Sequence, residues 1–318
     1  YVKHPKDKHR LIIDPDATEI LKLIFSLFLK GTSKRAIALY LNEHGVPSPS
    51  AYKLQKGIPV STRGYDDPMW GARMIHSILT NPTYTGDLAQ GRSRVKSYKV
   101  HEVESVPREE WVEVAGTHES IIDYETFDKV QALLQRDTRT SPKGREVHLF
   151  SGFLKCADCG RAITRSVGNN NNVYYACSTY KNRSRTACTM HSIKHNRLEA
   201  AVLFAVQQQI HLAVSYSEMI ARINTAPVKK SQSIRLEELI AAKERELANG
   251  VKSEHPALVA FTKHQNIDQL SRELLVELID HIKVYENGNI SVRFKFADEF
   301  RRIAEYIEIN TTKPAVAG

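Results

Sequence analysis

All four cysteines of this sequence lie between positions 156 and 188, with a spacing that could bind a metal ion. Cys156 and Cys159 are separated by two residues and followed by a glycine, whereas Cys177 and Cys188 come later, after an Asn-rich segment. Two thiolates on one tight turn can bind a tetrahedral ion from one side, and two later thiolates can complete its coordination. Because four sulfur ligands leave no open position, we predict one structural Zn²⁺ held by Cys156, Cys159, Cys177 and Cys188.

Two other states of these cysteines are compatible with the spacing, namely two disulfides or four free thiols. No signal peptide or apolar span of membrane length precedes them, so an oxidising compartment is not supported. His191 and His195 are close enough in sequence to replace Cys188 as the fourth ligand. A fifth ligand is not needed, however, and we expect both histidines to be solvated or to face phosphate.

The same region carries most of the net positive charge of the chain, which is +9 over 318 residues. Residues 149–197 contain eight Lys or Arg and one acidic residue, whereas residues 1–135 and 198–318 are close to neutral. Such a segment is an electrostatic footprint for phosphate, with a merely solvated basic surface as the alternative. We predict DNA contacts by Arg35, Arg63, Arg73, Arg92, Arg94, Lys96, Arg139, Lys143, Arg145, Arg161, Arg165, Lys181, Arg183 and Arg185.

Short strands and turns must position the cysteines. Apolar and aromatic residues at 153–154 and 174–175 precede Cys156 and Cys177, a pattern typical of the two ligand-bearing turns of a zinc ribbon. Near the end of the chain, strands at 282–285 and 290–294 flank Asn287-Gly288. This pattern predicts a β-hairpin, which we expect to complete the sheet of the zinc domain.

Apolar residues at intervals of three and four predict two helices over about 203–268. Leu203, Val206 and Ile210 begin the first seam, and Leu236 and Ile240 lie on the second. We predict an antiparallel coiled-coil arm that is inserted in the zinc domain and protrudes from it. Ordinary packing within the domain is the alternative.

Residues 1–135 are predicted to form a mixed helical domain. Helix starts are indicated at Asp14, at Thr32 or Ser33, near Gly71 and at Asp123, and a strand is predicted over 84–88. The first two helices form a short pair that is compatible with a helix-turn-helix-like DNA reader.

Residues 136–148 are basic and lack periodic apolar residues, which predicts a tether. The tether could be inert or could lie in a minor groove. The predicted fold class is therefore α+β and multidomain, with domains at 1–135 and 149–318 joined by the linker 136–148.

A series of motifs resembles, in type and order, the C-terminal half of the large serine recombinases, the family of phage integrases and transposon recombinases. The resemblance covers residues 1 to about 305. Its carriers are Asp-Lys-x-Arg-Leu-Ile-Ile-Asp at 7–14, Ile-Phe-x-Leu at 24–27, Gly-Thr-Ser-Lys-Arg-Ala-Ile-Ala-x-Tyr-Leu-Asn at 31–42, Gly-Val-Pro-Ser-Pro at 45–49, Trp70 ahead of Ile-Leu-Thr-Asn-Pro-Thr-Tyr-Thr-Gly at 78–86, His-Glu-Ser-Ile-Ile-Asp at 118–123, the four cysteines, and Val-Arg-Phe-Lys-Phe-Ala-Asp-Glu-Phe at 292–300.

The resemblance implies a recombinase domain and a zinc-ribbon domain that together bind one attachment half-site on double-stranded DNA. It implies that a coiled-coil arm joins recombinase subunits into dimers and tetramers on DNA, and that a recombination directionality factor acts there. The arm of this chain looks short for the family. These functions belong to mobile genetic elements, which implies a cytoplasmic, nucleoid-associated bacterial protein without a membrane partner.

In this family an N-terminal catalytic domain carries the serine that forms a 5′-phosphoserine bond with DNA during integration and excision. The present sequence begins at Tyr1, and none of its serines stands in a recognisable nucleophile setting. We therefore expect a piece of a longer enzyme that is inactive alone, and we predict no catalytic residue in it.

Two other functional classes, an adaptor and a nuclease, are the alternatives to this interpretation. A zinc-stabilised, basic coiled-coil adaptor would share the cysteines and the charge, and it is the main alternative. A self-contained nuclease is disfavoured, because His118-Glu119 has no second histidine at a suitable interval and the carboxylates are not clustered with metal-binding spacing.

Overall fold

The computed structural model describes residues 1–7, 10–60, 68–136, 147–168, 171–225 and 255–311. The chain divides into two compact units, Tyr1–Gly152 and Phe153–Gly318. Both helices and small sheets contribute to the fold, so the chain is of the α+β class.

The first unit is built around a helical core. Its helices are α1 (Pro15–Leu29), α2 (Lys34–Glu43), α3 (Pro49–Gln55), α4 (Ala72–Leu79) and α5 (Tyr124–Gln135). The fully buried side chains of this core come from four helices and include Ile24, Ile37, Leu41, Ile75, Leu79 and Val130. Removal of such aliphatic surface from water is the main favourable term in the folding of the unit.

Polar side chains cap α2, α3 and α5, whereas the predicted start of α1 at Asp14 has no side-chain cap hydrogen bond. The hydroxyl of Ser33 accepts a hydrogen bond from the backbone N–H of Ala36, and the carboxylate of Asp123 accepts one from that of Thr126. Each bond satisfies one of the backbone donors that the first turn of a helix leaves without a partner. The predicted capping residues of α2 and α5 are confirmed.

Small β-ribbons complete the first unit. Antiparallel pairs join β1 (Val2–Lys3) to β2 (Leu11–Ile12), β3 (Leu88–Gln90) to β6 (Val112–Val114), and β4 (Ser93–Val95) to β5 (Val103–Ser105). The strand predicted over 84–88 is wrong, because Pro82–Thr85 forms a 3-10 turn and β3 begins only at Leu88. The side chain of Asn81 accepts a hydrogen bond from the N–H of Thr83 and thereby starts this turn.

The described residues of the second unit form two three-stranded sheets. In the first, β8 (Ile163–Val167), β9 (Val173–Cys177) and β10 (Ser192–Lys194) are antiparallel neighbours. In the second, β11 (Ile279–Val284) lies between β12 (Ile290–Phe294) and β7 (Leu154–Cys156), and it runs parallel to β7. The predicted terminal hairpin is therefore present, and it pairs with the strand that leads to the first cysteine.

Among the described residues, five helices accompany these sheets. They are α6 (Ser178–Asn182), the long α7 (His195–Thr225), α8 (Pro256–Thr262), α9 (Arg272–Leu278) and, after the hairpin, α10 (Ala297–Thr311). In α7, Val206, Ile210, Ala213 and Ile220 are buried, and the helix packs on α8 and α10. The aromatic rings of Phe261 and Phe300 meet edge to face beside it, with centroids 5.2 Å apart.

This packing shows that the prediction of a protruding arm is wrong for its first part. The seam that was expected to protrude from about residue 203 is buried inside the second unit up to Ile220, because α8 and α10 cover it. A coiled-coil arm is not confirmed. Residues 226–254 of the predicted insertion lie outside the described residues, and residues 256–262 of it form α8.

Candidate metal centre and nucleic-acid interface

Two turns of the second unit bring the four thiols together. Cys156 ends β7 and Cys159 follows it in a turn, Cys177 ends β9, and Cys188 lies between α6 and β10. The four Sγ atoms all lie within 4.8 Å of one another. The Sγ atoms of Cys156 and Cys188 are 3.6 Å apart, as are those of Cys159 and Cys177.

These separations fit tetrahedral coordination. A tetrahedron of sulfurs about 2.3 Å from a central Zn²⁺ has edges of about 3.8 Å. A disulfide needs two sulfurs about 2.05 Å apart, and all four cysteines are free thiols in this structure. The residues present therefore fit a four-sulfur metal site, and the two-disulfide alternative is not the arrangement seen.

The surroundings of the thiols shift the pKa of Cys159 in one direction and those of Cys156 and Cys188 in the other. Burial alone would raise the pKa of Cys159, but hydrogen bonds from Thr179 Oγ1, from the N–H of Arg161 and from neighbouring thiols lower it to about 6. Burial raises the pKa of Cys156 and that of Cys188, and the adjacent sulfurs raise the pKa of Cys188 further. Cys159 is thus more ready to bind a metal as a thiolate than Cys156 or Cys188, each of which must lose a proton on binding.

The two nearby histidines occupy different environments. His191 is fully buried, and its Nδ1 lies 3.7 Å from the sulfur of Cys188 and 2.9 Å from the carbonyl oxygen of Thr189. The expectation that it is solvated or faces phosphate is therefore wrong. His195 is partly exposed, and its Nδ1 lies 3.5 Å from the hydroxyl of Tyr175. Sequence spacing alone did not distinguish the two residues.

The predicted DNA-contacting bases of the second unit are all exposed: Arg161, Arg165, Lys181, Arg183 and Arg185. Lys181 donates a hydrogen bond to the hydroxyl of Ser166, and the guanidinium of Arg185 lies 5.9 Å from the centroid of the Tyr180 ring. Three further exposed bases of the unit were missed as individual candidates, although they belong to the same basic segment: Lys155, Lys194 and Arg197.

In the first unit, Arg35 on α2 and Arg73 on α4 are exposed on two helices that pack against each other. His76 lies one turn after Arg73, where desolvation and the nearby Lys34 ammonium lower its pKa. These side chains place positive and hydrogen-bonding groups on the outer surface of the helix pair.

Three predicted DNA contacts, Arg92, Arg94 and Lys96, have partners within the first unit. The register pairs Arg94 with Glu104, and the Nε atom of Arg94 lies 2.6 Å from that carboxylate. The Nζ atom of Lys96 lies 2.7 Å from the carboxylate of Glu102. Arg92 donates a hydrogen bond to Asn81 at 2.8 Å, and its guanidinium lies 5.0 Å from the centroid of the Trp111 ring.

The sequence prediction missed this pairing because it depends on strand register: Glu104 lies on the returning strand β5 and Glu102 directly before it, ten and six residues from their partners. Four further predicted contacts lie outside the described residues: Arg63, Arg139, Lys143 and Arg145.

Comparison with known proteins identifies the two units. Residues 15–137 match the family Recombinase, and residues 149–207 match the family Recombinase zinc beta ribbon domain. The chain is a large serine recombinase-type protein. The second match contains all four cysteines and the whole sheet formed by β8, β9 and β10.

The recombinase-type chain also has curated relatives. The uncharacterized protein YefB of Bacillus subtilis strain 168 is 27% identical over 303 residues, which cover 80% of this chain and 97% of YefB. The uncharacterized protein YbcK of Escherichia coli strain K12 is 25% identical over 195 residues, and the match spans 60% of this chain but only 32% of YbcK.

A solved structure described as the crystal structure of an LSR–DNA complex aligns with 93% of this chain and 91% of its own chain, with a TM-score of 0.42 and 16% identity. Within the part of the chain that the structure describes, no helix is both long and apolar enough to cross a membrane.

Proposed function

We propose that this chain binds double-stranded DNA at a recombination attachment half-site. In this proposal it is the DNA-binding part of a serine site-specific recombinase that integrates and excises mobile DNA through a phosphoserine intermediate. The observation that carries the proposal is the set of exposed bases in the segment that forms the four-thiol centre, which has eight bases and one acid. A phosphate backbone is the polyanion that such a surface fits.

We assign a structural Zn²⁺ to Cys156, Cys159, Cys177 and Cys188. When bound, the ion would cross-link the turn after β7 to the end of β9 and to the segment that precedes β10. Four thiolate ligands leave no position for a substrate, so the ion would stabilise the ribbon rather than take part in strand exchange. The exposed bases of the ribbon would then be held in fixed positions relative to one another.

The bases of the two units are expected to contribute unequally to binding. Arg161, Arg165 and Arg183 can contact phosphate directly, and each contact releases condensed counterions. Arg94 and Lys96 already pair with carboxylates. They must give up or share those partners before they contact DNA, so their net contribution to affinity is smaller.

The wider assembly is part of the same proposal. Domains at 1–135 and 149–318, joined by the basic linker 136–148, would each cover part of the half-site. Residues of the 203–268 insertion would join recombinase subunits into dimers and tetramers on DNA and would receive a recombination directionality factor. Because the target is bacterial chromosomal or phage DNA, we propose a location in the cytoplasm, on the nucleoid.

Selection of duplexes from a random pool tests the proposal. The full chain is incubated with the pool at moderate salt, once with Zn²⁺ and once with a chelator. We expect a motif of roughly two helical turns, one end of which disappears with the chelator because the ribbon no longer holds its bases in place. A matched arm uses Cys159→Ser in the presence of Zn²⁺, and it should reproduce the chelator result.

Recovery of no motif, with binding that only weakens as salt rises, would contradict the proposal. That result would favour a basic, zinc-stabilised adaptor, which needs no sequence preference.

A further inference from the structure

Cys188 has less support from regular structure than the two thiols that end strands. Cys156 and Cys177 each end a strand that is paired with a neighbouring strand. Cys188 instead lies in the segment between α6 and β10, outside helix and strand. A ligand in such a segment keeps its place only if tertiary contacts hold it there, and metal ligands are commonly oriented by partners of this kind.

His191 makes such contacts on the Cys188 side of the centre. Its buried ring places Nδ1 3.7 Å from the Cys188 sulfur and 2.9 Å from the Thr189 carbonyl oxygen. A ring nitrogen that faces a carbonyl oxygen carries the proton, so Nδ1 is a donor and does not coordinate a metal in this arrangement. The backbone carbonyl of His191 also accepts a hydrogen bond from the N–H of Cys177 at 3.0 Å.

The other ring nitrogen of His191 reaches the opposite turn. Nε2 lies 3.1 Å from Oδ2 of Asp158, which stands between Cys156 and Cys159. Thr189 Oγ1 donates to the same oxygen at 3.5 Å. Among the described residues, Nε2 is buried without an aligned hydrogen bond, so its contact with Asp158 is a close approach and not a directed bond.

A buried nitrogen with so poor a partner costs free energy. An apolar ring of the same size would fill this space without that cost. The presence of a polar ring at this position therefore indicates a role in holding the thiols in place.

We propose that His191 is a positioning residue that fastens the Cys188 turn to the Cys156–Cys159 turn through Asp158. The ring and the carboxylate together hold the fourth thiol in place before the metal arrives, and His191 is not itself a ligand. This inference rests on the proposed zinc site, but it concerns a different property, namely how tightly four unchanged ligands hold the ion.

Zinc affinity tests the proposal. The full chain competes for Zn²⁺ with a chromophoric chelator, and Co²⁺ is substituted so that its absorption reports the ligand set. We expect His191→Phe to raise the zinc Kd about ten- to hundredfold, the range typical for loss of a partner that orients a ligand. The Co²⁺ spectrum should remain that of four thiolates.

Asp158→Ala removes the other end of the link at an exposed position and should raise the zinc Kd similarly.

The double variant should raise the zinc Kd no more than the larger single change does, because both substitutions break one link. His195→Phe is the matched control, since its ring lies beside Tyr175 rather than a thiol, and it should leave the zinc Kd unchanged.

Unchanged zinc affinity in His191→Phe and in Asp158→Ala would overturn the proposal. If His191→Phe does not fold, Asp158→Ala decides the question alone. A Co²⁺ spectrum of three thiolates and one nitrogen in the unaltered chain would also overturn it, because His191 would then be a ligand. An unaltered chain that binds no Zn²⁺ would overturn the zinc site itself, which is a distinguishable result.

Discussion

At the scale of single residues, the ribbon bases and the hairpin bases differ in the partners they have. Arg183 is exposed in the ribbon segment, whereas Arg94 contacts the carboxylates of Glu104 and Glu110. We expect Arg183→Ala to weaken binding to all duplex sequences and to reduce the slope of log K against log salt by about one. Fluorescence anisotropy over a salt series measures both quantities.

Arg94→Ala is the matched control for this prediction, and it should change the salt slope less because the guanidinium already has acidic partners. An equal change in slope for the two variants would contradict the assignment of phosphate contacts to the ribbon. It would mean that the carboxylates of Glu104 and Glu110 release Arg94 when DNA binds.

Gly86 is a residue at which the backbone leaves no room for a side chain. Its φ is 94°, and a Cβ there would lie 2.8 Å from the carbonyl oxygen of His118. Gly116 also has a positive φ, of 66°, but a Cβ there meets nothing within 4 Å. Gly116→Ala should therefore cost only the left-handed penalty of about 1–2 kcal/mol. Gly86→Ala should cost more, because the clash adds to the same penalty. Urea unfolding measures the loss of stability in each variant. Equal losses would show that the contact between residue 86 and the His118 carbonyl oxygen relaxes without strain.

At the scale of elements, Asp87 joins three parts of the first unit. Its carboxylate accepts hydrogen bonds from Tyr124 on α5 at 2.7 Å, from the N–H of Gly116 at 3.1 Å and from Thr85 in the 3-10 turn at 3.2 Å. Partial burial alone would raise the pKa of Asp87, but these hydrogen bonds lower it below its ordinary value. The pKa of Tyr124 is raised, chiefly by the same hydrogen bond.

The lowered pKa of Asp87 sets the sign of a pH effect. The unfolded chain binds the proton more readily, so this contribution to stability is fully present above the unfolded pKa of about 4 and is lost as pH falls through the folded value. We expect the urea midpoint of the first unit to fall between pH 5 and pH 3, and Asp87→Asn to reduce the size of that fall. An identical fall in the variant would assign the pH effect to other carboxylates.

The two sheets of the second unit should respond differently to loss of the metal. The β8–β10 sheet carries Cys177 and leads to the Cys188 turn. In the other sheet the edge strand β7 carries Cys156, whereas β11 and β12 pair with each other through residues that are not cysteines. We expect Cys159→Ser, or a chelator, to unfold residues 149–197 and to leave the first unit folded, because closed zinc sites couple metal binding to folding. Hydrogen exchange measures this, and the contrary result is unchanged protection of amides in 163–167 and 173–177.

At the scale of the whole molecule, charge is divided unevenly between the two units. The recombinase-type first unit is nearly neutral over residues 1–135, and the ribbon segment carries most of the net charge. On a selected duplex, hydroxyl-radical footprinting should show two protected stretches, of which Cys159→Ser removes one. The remaining stretch should be the less sensitive to salt, because the lost bases supply most of the phosphate contacts. Loss of both stretches together would show that the two units do not bind separately.

Sequence alone determined the features that depend on local chemistry. The four cysteines, the caps of α2 and α5 and the Asn287-Gly288 hairpin each follow from residue types at short spacing, where backbone geometry leaves few alternatives. The ordered motifs likewise indicated the family, and the family matches at 15–137 and 149–207 agree with them. The assignment of individual DNA contacts stays a prediction.

Only the tertiary structure decided the features that depend on distant neighbours. The α7 seam is buried because α8 and α10 return to cover it, and periodicity cannot say whether an apolar stripe meets its own chain or another. Arg94 is paired because strand register brings Glu104 opposite it. His191 lies next to the thiols rather than in solvent because it contacts Cys177 and Asp158, which are remote from it in sequence. The physical cause in each case is packing between segments whose separation along the chain carries no local signal.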